Sequence, residues 1–443
     1  MAPPRIANSL GPPPFEVRVR MYQVGFGDCF LLSFYYRRAL SDKRKERHVL
    51  IDFGSTHAPA RSKSLLPQAG HLIEQHTNGR LDVIVATHRH KDHIDGFGDA
   101  ETAAIIDKLQ PGLVVRPWTD DPKLPADAAE PALAPTARFA AGLAAAQDFS
   151  AAVASMVGAA RAGSLRGELA SVALDQVPNQ AAVDRLVGWA KAGSGVYVRA
   201  GGTSRIEEFV PGITVRVLGP PTAKDAPQMT SQRASDPDYW MAQLRGLAAD
   251  APLPAAVDDP GLAVTTARVR PGPVAWLVDR LERQQAESLL RIVRTVDDAL
   301  NNTSVILLID AGDKRLLFPG DAQIENWSWA LKNAPDSGRI RKLLEQVDLY
   351  KVGHHGSRNA TPRSLFRLWG EDPDPARPMT ALMSTLANVH GRSEATRVPR
   401  ATLVAALQRR TNLITTDGLA RDTAFREIMA PTSGNAPFMV VEQ

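Results

Sequence analysis

Four side chains of metal-binding type lie within six consecutive residues: His88, His90, Asp92 and His93. They follow residues 81–86 (LDVIVA), whose apolar run is typical of a strand buried on both faces. On extended backbone alternate side chains point the same way, so His88 and His90 can share one metal ion. If the chain then turns into a helix, Asp92 and His93 can serve a second ion. Imidazole and carboxylate ligands suit zinc, and also manganese or iron.

Two later segments end in further candidate ligands. The segment LLFPGDA ends a predicted strand at Asp321, and LYKVGHHGS ends another at His354 and His355. Each has an ordinary explanation when taken alone, because Gly-Asp after a strand is usually a turn and a histidine pair is often structural. Together with the first motif, and in this order, they indicate one shared site in which Asp321 could bridge two cations.

Strands and helices alternate along the chain, and these elements must position the candidate ligands. Short apolar or alternating runs predict strands, and apolar residues at helical spacing predict helices at 64–78, 99–110 and 400–409. The strands are predicted at 15–21, 29–36, 48–53, 81–86, 113–117, within 196–217, and at 304–310, 315–318, 349–352, 381–384 and 413–415.

The domain organisation follows from where strands of similar character resume. Residues 1–14 are rich in proline and predict a disordered tail. Residues 15–443 predict one α/β domain, with mainly helical insertions at about 120–195 and 222–300.

Composition narrows the class of protein. The chain has 443 residues, 44% hydrophobic and 23% charged, as expected for a globular protein. Its apolar runs are far shorter than the ~20 residues that cross a bilayer, and its first residues resemble no secretory signal. Cys29, the single cysteine, excludes an internal disulfide and a multi-thiolate zinc site, so we expect a cytoplasmic protein. A net charge of +4 is too mild for a protein that coats nucleic acid, yet it permits a local basic groove.

The order of these motifs resembles the metallo-β-lactamase superfamily: H-x-H-x-D-H, a strand ending in Gly-Asp, and a strand ending in Gly-His. Finer matches are similar to the hydrolase domain of the competence DNA-uptake channel and its free-standing soluble relatives. They are QVGFGD at 23–28, LIDFG at 50–54, NNTSVIL at 301–307, LLFPGDA, KVGHHGS and a Thr-Asp-Gly at 416–418. The resemblance covers about residues 15–430 without the two insertions, and it implies a four-layer αββα sandwich with the metals at one edge.

The resemblance also implies a ligand set for two divalent ions, with zinc expected first and manganese as the alternative. Metal one would take His88 and His90; metal two would take Asp92, His93 and His354; Asp321 would bridge them. Many members of the superfamily have a further histidine for metal one, but residues 94–353 contain none. Asn301, Asn302 and Ser304 occupy that region, so metal one would have three protein ligands.

Such a pair of cations would lower the pKa of a bridging water and so supply hydroxide near neutral pH. Asp92 would bind metal two and orient this nucleophile. His355 would donate a proton or hydrogen bond to the substrate, or only pack beside a ligand.

Several other residues have a functional interpretation and a structural one. Asp52 and Asp417 would orient ligand imidazoles or merely end strands, and Asp28 would approach the metals or, as we favour, cap a turn. Asn302, Ser304 and Ser357 are further candidates for contact with ligands or substrate.

Three functions fit these observations. The first is a metal-dependent hydrolase of phosphodiesters, including nucleases, whose substrate would be an anion such as a nucleic acid or nucleotide. The second is a hydrolase of esters, lactones or thioesters that uses the same site. The third is a non-catalytic binding or scaffold protein, which would have no need for the complete ligand set. The sequence leaves the substrate, the oligomeric state and the role of the insertions open.

Overall fold

The computed structural model describes residues 11–58, 65–121, 179–190, 193–222, 225–226, 300–370, 377–387, 389, 397–420 and 423–442. Within these ranges the strands form one sheet of eight strands and one of six. In chain order they are Glu16–Tyr22 (β1), Cys29–Tyr35 (β2), Glu46–Phe53 (β3), Val83–Val85 (β4), Leu113–Pro117 (β5), Gly195–Val198 (β6), Ile213–Gly219 (β7), Ile306–Ala311 (β8), Lys314–Phe318 (β9), Leu349–Lys351 (β10), Thr380–Met383 (β11), Asn412–Thr415 (β12), Phe425–Pro431 (β13) and Met439–Val440 (β14).

The helices of the described ranges are mostly short and connect the strands. They are Leu65–His76 (α1), Lys91–Gly98 (α2), Ala100–Leu109 (α3), Gln180–Trp189 (α4), Ile206–Phe209 (α5), Ile324–Ser328 (α6), Ser337–Leu344 (α7), Arg363–Arg367 (α8) and Ala401–Arg410 (α9). Single tight turns of helix lie at Trp118–Asp120 and His354–Gly356, and a wider turn at Trp329–Asn333 continues α6. Within these ranges, none of the helices has the length and apolar character needed to cross a membrane.

Each sheet has an antiparallel part and a parallel part. The first has the order β14-β13-β1-β2-β3-β4-β5-β6 and runs parallel from β3 to β6. The second has the order β12-β11-β10-β9-β8-β7 and runs parallel from β9 to β12. In an open α/β sheet, ligands bind beyond the carboxyl ends of parallel strands.

The apolar core has three layers because successive strand residues point to opposite faces. Phe30 and Leu32 of β2 pack with Leu307 of the other sheet, so one layer lies between the sheets. Leu31, on the opposite face, packs with the helix residue Ile73. In the second sheet Leu317 likewise packs with helix residues, as the other outer layer. The protein is therefore a mixed α/β structure in which helices cover the outer faces of two packed sheets.

Most predicted elements are present, with ends shifted by a few residues. The strand Phe425–Pro431 was not predicted, although it pairs with the whole of β1. Only the end of the first predicted insertion is described: α4 is helical, and its Ala182 and Leu186 pack in an outer core layer. The rest of both insertions falls mainly at 122–178 and 227–299, outside the described residues.

The predicted disordered tail, residues 1–14, is also only partly within the described ranges. Residues 1–10 lie outside the described ranges. Pro14 belongs to the predicted tail but is buried, and its carbonyl accepts a hydrogen bond from the Thr432 hydroxyl. The tail prediction is therefore wrong for Pro14.

Candidate metal centre

The candidate ligands are brought together by strand ends from both sheets. In the first sheet, the chain leaves β4 at Val85 and reaches His88 three residues later. In the second sheet, Asp321 follows the end of β9, and the two adjacent histidines follow the end of β10. These ends are carboxyl ends of parallel strands, where functional side chains collect in α/β sheets.

Four side chains form a compact group in which Asp92 is half-buried and the others are buried: Asp92, His93, Asp321 and His355. One ligand atom of each lies within 4.8 Å of the others. His355 Nε2 is 2.9 Å from Asp92 Oδ2 and 3.7 Å from Asp321 Oδ2. His93 Nε2 is 3.2 Å from Asp321 Oδ2 and 4.0 Å from Asp92 Oδ2. Two imidazole nitrogens and two carboxylates therefore converge on one small region.

His88 and His90 form a pair beside this group. His88 Nε2 lies 2.9 Å from His90 Nδ1, and both side chains are buried. The ring of His88 also packs against that of His93, with ring centroids 4.2 Å apart. The pair thus packs against the four-residue group through the ring of His88, but neither His88 nor His90 belongs to a candidate metal group among the described residues.

The two adjacent histidines are placed differently from the prediction. The described residues contain two candidate metal groups: the four-residue group, and Asp28 and Asp52 with His93. His355 joins the first group, whereas His354 belongs to neither. The prediction assumed extended backbone, on which neighbouring side chains alternate. Instead both residues have left-handed backbone, with φ of 44° at His354 and 51° at His355. The geometry therefore favours His355 as the ligand, and assigning that role to His354 is not supported.

The orientation of His355 suits this role. Its Nδ1 lies 2.9 Å from the carbonyl oxygen of Ser384, to which it can donate a hydrogen bond. With the proton on Nδ1, Nε2 keeps its lone pair and faces Asp92. Metal-binding histidines are commonly held through their second nitrogen in this way.

Asp52 holds His93 in the corresponding manner. Asp52 Oδ2 accepts hydrogen bonds from His93 Nδ1 at 2.8 Å and from the Thr87 hydroxyl at 2.7 Å. Its Oδ1 accepts from the Thr87 backbone N–H at 2.7 Å. The Asp52 carboxylate thereby directs His93 Nε2 towards Asp321, a contact that matches the first of the two roles considered for Asp52 from the sequence.

Lys351 was not identified as a site residue from the sequence. It is the last residue of β10, is 2% exposed, and pairs with the carboxylate of Asp28. Asp28 had been interpreted as a turn residue, yet the structure buries it completely beside the cluster. The available signal was a lysine inside an otherwise apolar strand that leads directly to the histidine pair.

The remaining candidates differ in position. Ser304 Oγ accepts the backbone N–H of Asp321 at 3.1 Å, so it lies at the site. Asn302 is buried but donates to Glu325 at 3.1 Å. Ser357 closes the histidine turn through its backbone N–H, which donates to the His354 carbonyl. Asp417 is exposed and belongs to neither candidate metal group among the described residues, so the expectation that it orients a ligand is not supported.

Burial and neighbouring charges together set the pKa values of the residues in the cluster. Burial by itself lowers the pKa of His93, but the carboxylates of Asp321 and Asp52 raise that pKa well above its usual value. Burial raises the pKa of Asp321, but His93 and Lys351 hold it well below the usual value. The pKa of His88 is well below normal because of burial, and also because His93 is close. Without metal, the lowered pKa of Asp321 and the raised pKa of His93 therefore favour an ionised carboxylate beside a protonated imidazole.

The residues present fit a metal ion. His93 Nε2 and Asp321 Oδ2 are both buried, and neither makes a satisfactory hydrogen bond although they are neighbours. Buried polar atoms without a well-aligned hydrogen bond are costly, and a cation bound by both would satisfy them. Nitrogen and carboxylate oxygen together are donors that zinc and manganese accept. The buried cluster of histidines and aspartates can therefore hold a metal ion.

Comparison with known proteins adds no family to this description. No protein-family model matches the chain, and the curated proteins contain no significant match to it. What the structure does establish is a mixed α/β protein with two sheets and, at its strand ends, a His/Asp cluster that could hold a metal ion.

Proposed function

We propose that this protein is a metal-dependent hydrolase of the metallo-β-lactamase type that cleaves phosphodiesters, a class that includes nucleases. The observation that carries the proposal is the buried convergence of Asp92, His93, Asp321 and His355 beside the pair of neighbouring histidines. A scaffold protein gains nothing from burying these groups together, because each ionisable group costs free energy to desolvate.

The proposed ligand assignment differs from the sequence-based one at one position, where His355 replaces His354. His88 and His90 would hold one divalent ion, and Asp92, His93 and His355 a second, with Asp321 between the two. Zinc is the first candidate and manganese the second. Ions bound here would activate a water molecule and offset negative charge on the substrate.

The protein's own residues would orient these groups. Asp52 keeps a proton on His93 Nδ1, and the Ser384 carbonyl does the same for His355. When a metal ion binds, the proton displaced from each imidazole would therefore be the one on Nε2, which points into the cluster. Because both rings are fixed before a ligand arrives, little reorganisation is needed on binding.

The choice of phosphodiesters rests on the sequence resemblance and on a pI of about 9.2, which favours an anionic substrate. Hydrolysis of esters, lactones or thioesters would use the same residues. The two possibilities differ in the substrate that is turned over and not in the metal that is bound.

Metal analysis of the purified protein, followed by assays with bis-p-nitrophenyl phosphate and a lactone panel under Zn²⁺ and Mn²⁺, tests the proposal. We expect bound metal and phosphodiester hydrolysis, both lost in Asp321→Asn. Asp310→Asn is the matched control, because Asp310 pairs with Arg216 and Arg315 at the opposite end of the β8–β9 hairpin. Turnover of lactones alone would replace the substrate assignment, and absence of metal would refute the proposal.

A further inference from the structure

Lys351 is a buried cation inside the candidate metal centre. In β10, Leu349 packs between the sheets and Tyr350 packs outwards. Alternation places the Lys351 side chain on the same side as Leu349, towards the space between the sheets. Burying an ammonium group this completely is costly unless carboxylates and hydrogen bonds compensate it.

The compensation comes from the site itself. The Lys351 ammonium group pairs with the Asp28 carboxylate, lies 3.1 Å from Asp321 Oδ1, and donates to the Gly320 carbonyl oxygen at 3.1 Å. Asp28 is in turn attached to the first turn of α2, because its backbone N–H donates to the Asp92 carbonyl at 2.9 Å. Lys351 therefore links both sheets at the position where the ligands converge.

The two oxygens of Asp321 have different surroundings. Oδ1 accepts hydrogen bonds from Lys351 Nζ and from the backbone N–H of His354, which is 2.9 Å away. Oδ2 makes no satisfactory hydrogen bond and faces the imidazole nitrogens of His93 and His355, at 3.2 and 3.7 Å. One oxygen is thus committed to the protein, and the other is directed at the cluster.

We propose that Lys351 is a positioning residue: with the His354 N–H it holds Oδ1 of Asp321, so that this carboxylate offers a metal ion only Oδ2. Asp28 balances the charge of Lys351, which would otherwise draw Asp321 away from the metal. The inference rests on the proposed metal centre and is independent of the substrate.

Cobalt binding by the full-length protein tests the inference without an activity assay. Lys351→Met keeps the length of the side chain and removes its charge and hydrogen bonds. Oδ1 of Asp321 then keeps only the His354 N–H, which is too little to stop it from also binding the metal. We expect Co²⁺ affinity to fall about 10- to 100-fold, as for other residues that orient metal ligands. The visible absorbance per bound Co²⁺ should also fall, because a higher coordination number weakens these bands.

Lys314→Met is the matched control, since Lys314 is equally buried and donates to the Gly434 carbonyl at 2.8 Å, at the far end of β9. Its cobalt affinity and spectrum should equal those of the unaltered protein. Asp28→Asn tests the same idea with an isosteric change, and it decides the question if Lys351→Met does not fold. The unbalanced Lys351 should then weaken Co²⁺ binding in the same direction.

The outcomes separate the two proposals. If the unaltered protein binds no Co²⁺, the proposed metal centre is wrong. If it binds Co²⁺, and folded Lys351→Met or Asp28→Asn keeps the affinity and spectrum of the unaltered protein, only the role of Lys351 is overturned.

Discussion

Replacing Asp52 by asparagine should disable metal binding although the two side chains have the same shape. Both carboxylate oxygens of Asp52 face donors: Oδ1 the Thr87 backbone N–H, and Oδ2 the Thr87 hydroxyl and His93 Nδ1. An asparagine must turn its amide nitrogen towards one of these places. If the amide nitrogen takes the Oδ1 position, it faces the Thr87 backbone N–H, and two donors then meet without an acceptor. On the Oδ2 side it forces the His93 proton from Nδ1 to Nε2, which then cannot bind a metal.

The size of the effect follows from these contacts. Residues that orient a metal-binding histidine typically contribute 10- to 100-fold in affinity, or about 1.4 to 2.7 kcal/mol. The orientation that opposes the Thr87 N–H leaves a buried donor without a partner, which costs about 1 to 3 kcal/mol of folding stability. We therefore expect Asp52→Asn to bind Zn²⁺ 10- to 100-fold more weakly, with a lower melting temperature for the metal-free protein.

Competition with a chromophoric chelator measures the Zn²⁺ affinity, and thermal unfolding of the metal-free protein measures stability. Asp82→Asn is the control, because Asp82 is also buried and accepts a backbone N–H, that of His48, at the opposite end of β4. It should lose stability without losing Zn²⁺ affinity. A folded Asp52→Asn variant that binds Zn²⁺ as tightly as the unaltered protein would refute the reasoning.

Three further expectations concern the same cluster. His355→Gln should lose bound metal in elemental analysis while His354→Gln retains it, and the reverse result would restore the assignment made from sequence. A Cβ on Gly54 would lie 2.4 Å from the backbone nitrogen of His93, so Gly54→Ala should weaken Zn²⁺ binding in titration, whereas Gly338→Ala, with open space around it, should not. Neighbouring carboxylates raise the pKa of His93 and His355 above 6.5, although burial opposes this. Protonation of these two histidines therefore stabilises the metal-free protein fully at low pH, and denaturant titration should show this contribution disappearing as the pH rises through the raised pKa values. Zn²⁺ affinity should rise over the same range because binding displaces those protons; a pH-independent affinity would contradict this.

The strand ends that carry the ligands were predictable because their signals are local. The apolar run before Thr87, the Gly-Asp at Asp321 and the histidine pair after β10 each lie at the end of a recognisable strand. Parallel strands in α/β proteins bring such ends to one edge, so the convergence of His93 and Asp321 could be expected before the structure was known. The order of the motifs suggested the competence-type resemblance, which stays a prediction because no family model matches the chain.

Long-range pairing decided what the sequence left open. The strand Phe425–Pro431 is defined by its partner β1, more than 400 residues earlier in the chain, and no local pattern reveals that pairing. Lys351 and Asp28 look unrelated in the sequence, yet strands from different sheets place their charges in contact.

The choice between His354 and His355 shows most clearly what cannot be predicted from the sequence. The sequence determines that two histidines follow Gly353, at the end of a buried strand. Only the tertiary structure sets their backbone to left-handed values and turns His355 towards Asp92. The physical reason is that side-chain direction depends on backbone dihedrals, and packing of the whole turn against distant elements such as Ser384 fixes those dihedrals.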